Sequence, residues 1–287
     1  MLDQLKSLTV QEVTGCRPPQ QPRGLNKSSK VFTDCLIGLE FELEGMPYNE
    51  VLGKLSPTFN KYWSVHQDGS LRNNGVEFVL SRPRLGAGIS TALTSLMSLI
   101  GRMEDQPSCS QYTSTHVHLD VSQMKVYDYL KFLFVYRYFD EALTLSQGEH
   151  RYGNLYCLTF SQANGGFHQL RRVIEDPYRG MTDFSMERHK YGSCNLATPL
   201  AYGSLEFRAM GGCIDKDQAL QWINTLCQIK MFAETLESWE DVLDLGDLSI
   251  PDLWETAGLK DSPFQSFMTE EQLIDAQSDI VLVTAGD

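Results

Sequence analysis

Between Ile37 and Gly45 the chain alternates: Ile37, Leu39, Phe41 and Leu43 on one side, Gly38, Glu40, Glu42 and Glu44 on the other. A period of two marks a strand with one buried face. Residues two apart on such a face are about 7 Å apart, so three carboxylates stand in a row. Like charges at that spacing repel unless something cationic lies over them. The plain alternative is a charged edge strand that resists aggregation, and this stretch alone leaves both readings open.

Three later segments repeat the pattern. Gly75–Ser81 sets Glu77 against Val76, Phe78 and Leu80; Thr115–Val121 sets His116, His118 and Asp120 against Val117, Leu119 and Val121; Gly203–Ala209 sets Ser204, Glu206 and Arg208 against Leu205 and Phe207. Each has an ordinary explanation alone: a solvated face, a polar histidine pair or zinc site, a cross-strand ion pair. Together the polar faces collect Glu40, Glu42, Glu77, His116, His118, Glu206 and Arg208. Hard divalent cations take oxygen ligands, and Mg2+ is commonly held by a few carboxylates plus substrate phosphates. An arginine beside them suits a phosphoryl group in transfer, being planar and always charged.

The elements that must position these residues are helices at Ile89–Met103, with apolar residues at helical spacing, at Met124–Leu145, apolar nearly all round and therefore expected to be central, and at Lys216–Leu236 and Thr269–Gln277. A short helix and an irregular approach are expected over residues 47–65, a turn at Asp68-Gly69-Ser70, and a polar loop with several basic residues over 160–190. The fold class this implies is α+β: a mainly antiparallel sheet, helices packed on one face, the other face open and concave. Residues 1–30, with Pro18-Pro19-Gln20-Gln21-Pro22, read as an extended arm, 31–232 as the main domain, and 233–287 as an acidic, partly helical extension. The net charge of −13 resides in that extension, which has fourteen acidic residues and one basic, Lys260. The rest is balanced, so nothing favours nucleic-acid binding. No apolar run of about 18 residues predicts a membrane span, and no secretory signal is expected from the first residues. Seven scattered cysteines without a CxxC pair predict free thiols and a cytoplasmic location. No phosphate-binding GxxxxGK and no GxSxG occurs, which disfavours P-loop NTPases and α/β-hydrolases.

Six motifs also occur in a recognisable order: Gly38-Leu39-Glu40-Phe41-Glu42; Asp68-Gly69-Ser70-Leu71; Glu77-Phe78-Val79-Leu80-Ser81-Arg82-Pro83; His116-Val117-His118; Arg151-Tyr152-Gly153-Asn154-Leu155-Tyr156-Cys157; and Tyr191-Gly192-Ser193-Cys194-Asn195-Leu196 followed by Gly203–Arg208. In this the chain resembles the amidoligases, carboxylate–amine ligases of the glutamine synthetase and glutamate–cysteine ligase superfamily. The resemblance covers roughly residues 35–212.

It implies a glutamine-synthetase-type sheet and an ATP-dependent ligase with Mg2+ or Mn2+, acting on a carboxylate and an amine carried by an amino acid, peptide or protein. Glu42 and Glu77 would hold the cation near the acyl substrate. Glu40, His116 and Glu206 would hold the one bridging the ATP phosphates, with His118 beside them, and Arg208 would stabilise the transferring phosphoryl group of an acyl-phosphate route. Arg151, Asn154, Arg188, Lys190 and Asn195 are the remaining candidates for nucleotide or substrate; capping of the preceding helix explains Arg151 and Asn154 equally well. Cys157 reads as a buried thiol rather than a nucleophile, and Asp68 as a turn residue or the orienter of a metal-bound water. Two departures, Ser114-Thr115 where glycine is expected and Ala197–Tyr202, are expected to touch no proposed ligand. The competing functions are a guanidino-kinase-type phosphotransferase on the same sheet and a non-catalytic module that keeps the fold for assembly.

Overall fold

The computed structural model describes residues 2–17, 31, 33, 35–72, 74–163, 166–184 and 189–285. The chain forms two units. One, the helical unit, comprises residues 1–18, 120–206 and 225–287; the other, the sheet unit, comprises 19–119 and 207–224.

The alternating segments form strands in the sheet unit because each offers a continuous apolar side. β1 (Ile37–Leu43) pairs antiparallel with β3 (Val76–Leu80) and β4 (Thr115–Asp120), and β3 pairs antiparallel with β2 (Trp63–Gln67), giving the order β2-β3-β1-β4. The register stacks Phe41 on Phe78 and Val65, and Leu39 on Val117, on one face. A helix over Gly86–Ile100 buries Ile89, Ala92, Leu93, Leu96 and Leu99, and Trp63 donates its indole N–H to the Ala92 carbonyl at 2.9 Å. Phe41 and Trp63 meet edge to face with centroids 5.8 Å apart. β2 lies where the sequence suggested an irregular approach.

The helical unit is built on one long helix, Val126–Ser146, buried at every position from Tyr129 to Thr144. This accounts for its apolar character all round. The acidic C-terminal segment is no separate extension. Trp254 packs edge to face on Phe139 at 4.9 Å, the Tyr138 hydroxyl donates to the Val242 carbonyl at 3.2 Å, and Arg137, 1% exposed, donates to Asp279 at 2.9 Å. Its last helix runs Glu270–Thr284, longer than expected, with Leu273, Ala276, Ile280 and Val283 buried. Helical spacing of apolar residues, with carboxylates on the outer face, explains the acidity.

The N-terminal arm is corrected in the same way. Leu2–Ser7 and Val10–Thr14 are helices, with Leu5, Val10 and Val13 buried. A Thr9–Glu12 capping box starts the second and Gly15, at φ +69°, ends it. Val10 and Gln11 donate backbone N–H groups to Met124 and Ser122 at 2.9 Å. The proline-rich run falls outside the described residues. Within the expected 160–190 loop, Leu170–Glu175 and Pro177–Thr182 are helical. β5 (Cys194–Asn195), a helical turn at Thr198–Tyr202 and β6 (Ser204–Phe207) follow, and the boundary between the units falls between Glu206 and Phe207 of β6. The described residues are thus mixed α and antiparallel β. No helix among them is long and apolar enough to cross a membrane.

Candidate metal-binding face

On the polar face of the sheet unit, β1–β4 pairing sets Glu40 opposite His116 and Gly38 opposite His118, while β1–β3 pairing sets Glu42 opposite Glu77. Glycine at 38 matters here: a Cβ on it would stand 3.1 Å from the Cβ of His118. Glu40 lies between the two imidazoles, Oε2 at 3.0 Å from His116 Nδ1 and Oε1 at 3.3 Å from His118 Nε2. Burial opposes ionisation of Glu40, but the hydrogen bond with His116 and the close approach of the His118 imidazole outweigh it and hold the carboxyl well below the usual range.

His116 is 3% exposed, and both its ring nitrogens are engaged: Nε2 lies 2.6 Å from the Ser114 hydroxyl. That hydroxyl also donates to Glu42 Oε2. Ser114 therefore touches two expected ligands, contrary to the expectation that this departure from the family pattern stands apart. The pairing of β4 on β1 explains it, since Glu42 takes its own backbone hydrogen bond from the Ser114 carbonyl at 2.9 Å. Sequence reasoning missed Ser114, and also His66, which β2–β3 pairing sets opposite Glu77. Trp63-Ser64-Val65-His66-Gln67 offers only two apolar residues on its inner side, too few to signal a strand.

Glu77 is the electrostatic centre of the face. Burial, then the charges of Glu40, Glu42 and Asp68, push its carboxyl up to about 7, and Arg208 pulls the other way. So Arg208 and Asp68 belong to the same neighbourhood. Asp68 also keeps its expected turn role, its Oδ1 accepting the Ser70 N–H and hydroxyl at 2.7 Å. Glu44 departs from the row: it is 2% exposed and accepts the Arg72 backbone N–H at 2.9 Å, which ties the chain at Arg72 to the end of β1.

The other candidates lie in the helical unit. Glu206 is buried and accepts from Asn195 Nδ2 at 2.7 Å. Asn195 is fully buried with its Oδ1 accepting the Ala197 N–H at 3.0 Å, so its amide serves Glu206 and the adjoining turn rather than a ligand. The second departure, Ala197–Tyr202, thus contacts Asn195, with Thr198 Oγ1 donating to its carbonyl at 2.8 Å. Asn154 accepts the Tyr156 N–H at 2.9 Å and closes its own turn. Arg151 is buried, Lys190 lies 4.8 Å over the Tyr191 ring, and Arg188 falls outside the described residues. Cys157 is fully buried and donates to the Arg151 carbonyl at 3.4 Å, as expected of a packed thiol.

Carboxylates with imidazole form a donor set that fits Mg2+ and, through nitrogen, Mn2+. A scan against protein-family models and a search of curated proteins each return no match to the chain.

Proposed function

We propose that the protein is an ATP-dependent carboxylate–amine ligase whose sheet face holds two divalent cations. The observation that carries this reading is the crowding of Glu40, Glu42 and Glu77 with His116 and His118 on one partly buried face, where Glu77 is pushed up to about 7 by its neighbours. Buried like charges of this kind are costly, and they cluster where a site has chemistry to perform.

In this reading Glu40 and His118 would hold one cation and Glu42 and Glu77 the other, and Glu206 on β6 enters as a metal ligand through its sequence motif. His116, fixed by Glu40 and Ser114, orients both carboxylates. Cations held there would neutralise phosphate charge and polarise the group in transfer. Arg208, two residues beyond Glu206, takes the equatorial oxygens of that group. ATP and the glutamine-synthetase type of sheet enter through the six sequence motifs; antiparallel pairing with helices behind it supports the fold.

The test is hydroxamate formation from a panel of amino-acid and peptide carboxylates, with ATP, Mg2+ or Mn2+ and hydroxylamine, using 18O-labelled carboxylate. A ligase transfers one 18O into inorganic phosphate and makes hydroxamate. A stable phosphorylated product formed without any amine identifies a phosphotransferase instead and overturns the reading.

A further inference from the structure

Glu206 is 4% exposed, and a buried carboxylate needs partners that fix it. One is the amide of Asn195. The orientation of that amide follows from its surroundings. Its oxygen accepts the Ala197 N–H, so the group facing Glu206 is the NH2 donor. The strand carrying Asn195 is anchored in turn. Ser193 Oγ donates to Asp140 Oδ1 at 2.5 Å, and Asp140 Oδ2 accepts the Phe160 N–H at 2.7 Å. Asp140 is fully buried on the long helix Val126–Ser146. A path of hydrogen bonds and one short strand therefore runs from the most buried helix to the Glu206 carboxylate, all inside the helical unit.

We propose that Asn195 is the positioning residue of Glu206. It fixes the rotation of the carboxylate while leaving its charge whole for a cation, and Asp140 and Ser193 hold the strand that carries the amide. A lysine or arginine in its place would neutralise the carboxylate and compete with metal; a neutral amide orients without competing. This inference rests on the reading of Glu206 as a metal ligand.

Mn2+ titration of the full chain, followed by electron paramagnetic resonance, separates the two ideas. Wild type binds and Glu206→Gln loses the site. Asn195→Ala weakens affinity roughly 10- to 100-fold, the usual effect of removing a group that orients a ligand, and alters the bound-Mn2+ spectrum. Asn195→Ser keeps a shorter donor and falls between them, and serves alone if the alanine variant does not fold. Thr198→Val loosens the same turn by removing the bond to the Asn195 carbonyl and binds like wild type. Wild-type affinity in Asn195→Ala or Asn195→Ser, alongside loss in Glu206→Gln, overturns the positioning role and leaves the metal reading standing. Equal weakening in Thr198→Val and the Asn195 variants also overturns it, as a merely structural effect. Unchanged binding in Glu206→Gln, or none in wild type, removes the metal reading and the inference with it.

Discussion

Glu42 and Glu77 are directly opposed across β1 and β3. Like charges so placed destabilise a sheet. Glu77 has a folded-state pKa of about 7 against an ordinary value of 4.5, so the folded chain keeps a proton that the unfolded chain releases. Stability without divalent cation therefore falls as pH rises from about 4.5 to about 7. Because Glu77 is partly exposed, screening reduces the effect to about 1 kcal/mol. Glu77→Gln should flatten this slope in chemical denaturation and raise stability at pH 8, at the expense of metal binding. An unchanged slope in the variant would show that Glu77 does not bear the strain.

Glu42→Gln and Arg208→Ala should each lower ligase turnover by at least ~100-fold, as for loss of one preorganised electrostatic stabiliser, with circular dichroism unchanged. Near-wild-type turnover in either refutes the site.

Glu44 should behave differently although it continues the same row. Glu44→Gln retains an acceptor for the Arg72 N–H and should leave turnover near wild type. Glu44→Ala strands that donor and should destabilise by about 1–3 kcal/mol. A loss of turnover in Glu44→Gln as large as in Glu42→Gln would mean that the ligands are shifted along β1.

Gly38→Ala probes the approach of β1 to His118. The added methyl must displace the His118 side chain by a few tenths of an ångström, since it would sit 3.1 Å from its Cβ. Mn2+ affinity should fall about tenfold, the lower end expected when a ligand's orientation is disturbed, with little change in melting temperature. Unaltered affinity would mean that His118 does not ligate.

Asp140 supplies a second pH effect, within the helical unit. Burial pushes its carboxyl up to about 6 from 3.8, against the hydrogen bonds from Ser193 and Phe160 and the charge of Arg137. The folded state again holds the extra proton, so stability drops as pH rises from about 4 to about 6, by up to about 3 kcal/mol. Asp140→Asn should remove this slope, because the Ser193 hydroxyl can reverse to meet an amide. Melting temperatures at pH 4.5 and 7 decide it; a slope preserved in the variant assigns the effect elsewhere.

The sequence-based expectations succeeded where one physical pattern ran long enough. β1, β3 and β4 each alternate over five residues or more, and their polar faces therefore predicted the carboxylate and imidazole cluster. Ser114 escaped because its partner Glu42 is 72 residues away and is set by strand register. β5 is two residues long and carries no period. The N-terminal helices were masked by the proline run after them, although Thr9-x-x-Glu12 spells a capping box. In the C-terminal segment the helix was expected only over Thr269–Gln277, and its continuation through Ile280 and Val283 to Thr284 escaped amid dense negative charge.

The helical unit gathers three separated stretches of chain, and its core includes Leu5 near one end and Ile280 and Val283 near the other. A ribosome delivers these in order. Residues 37–80, with Glu40, Glu42 and Glu77, can pair as soon as they emerge, whereas the packing around Val126–Ser146 waits for Trp254 and the last helix. During synthesis that long apolar helix is thus without its cover for about a hundred residues of further translation, an interval in which aggregation competes with folding. Chaperone demand should accordingly be set by the acidic C-terminal helices rather than by the metal face.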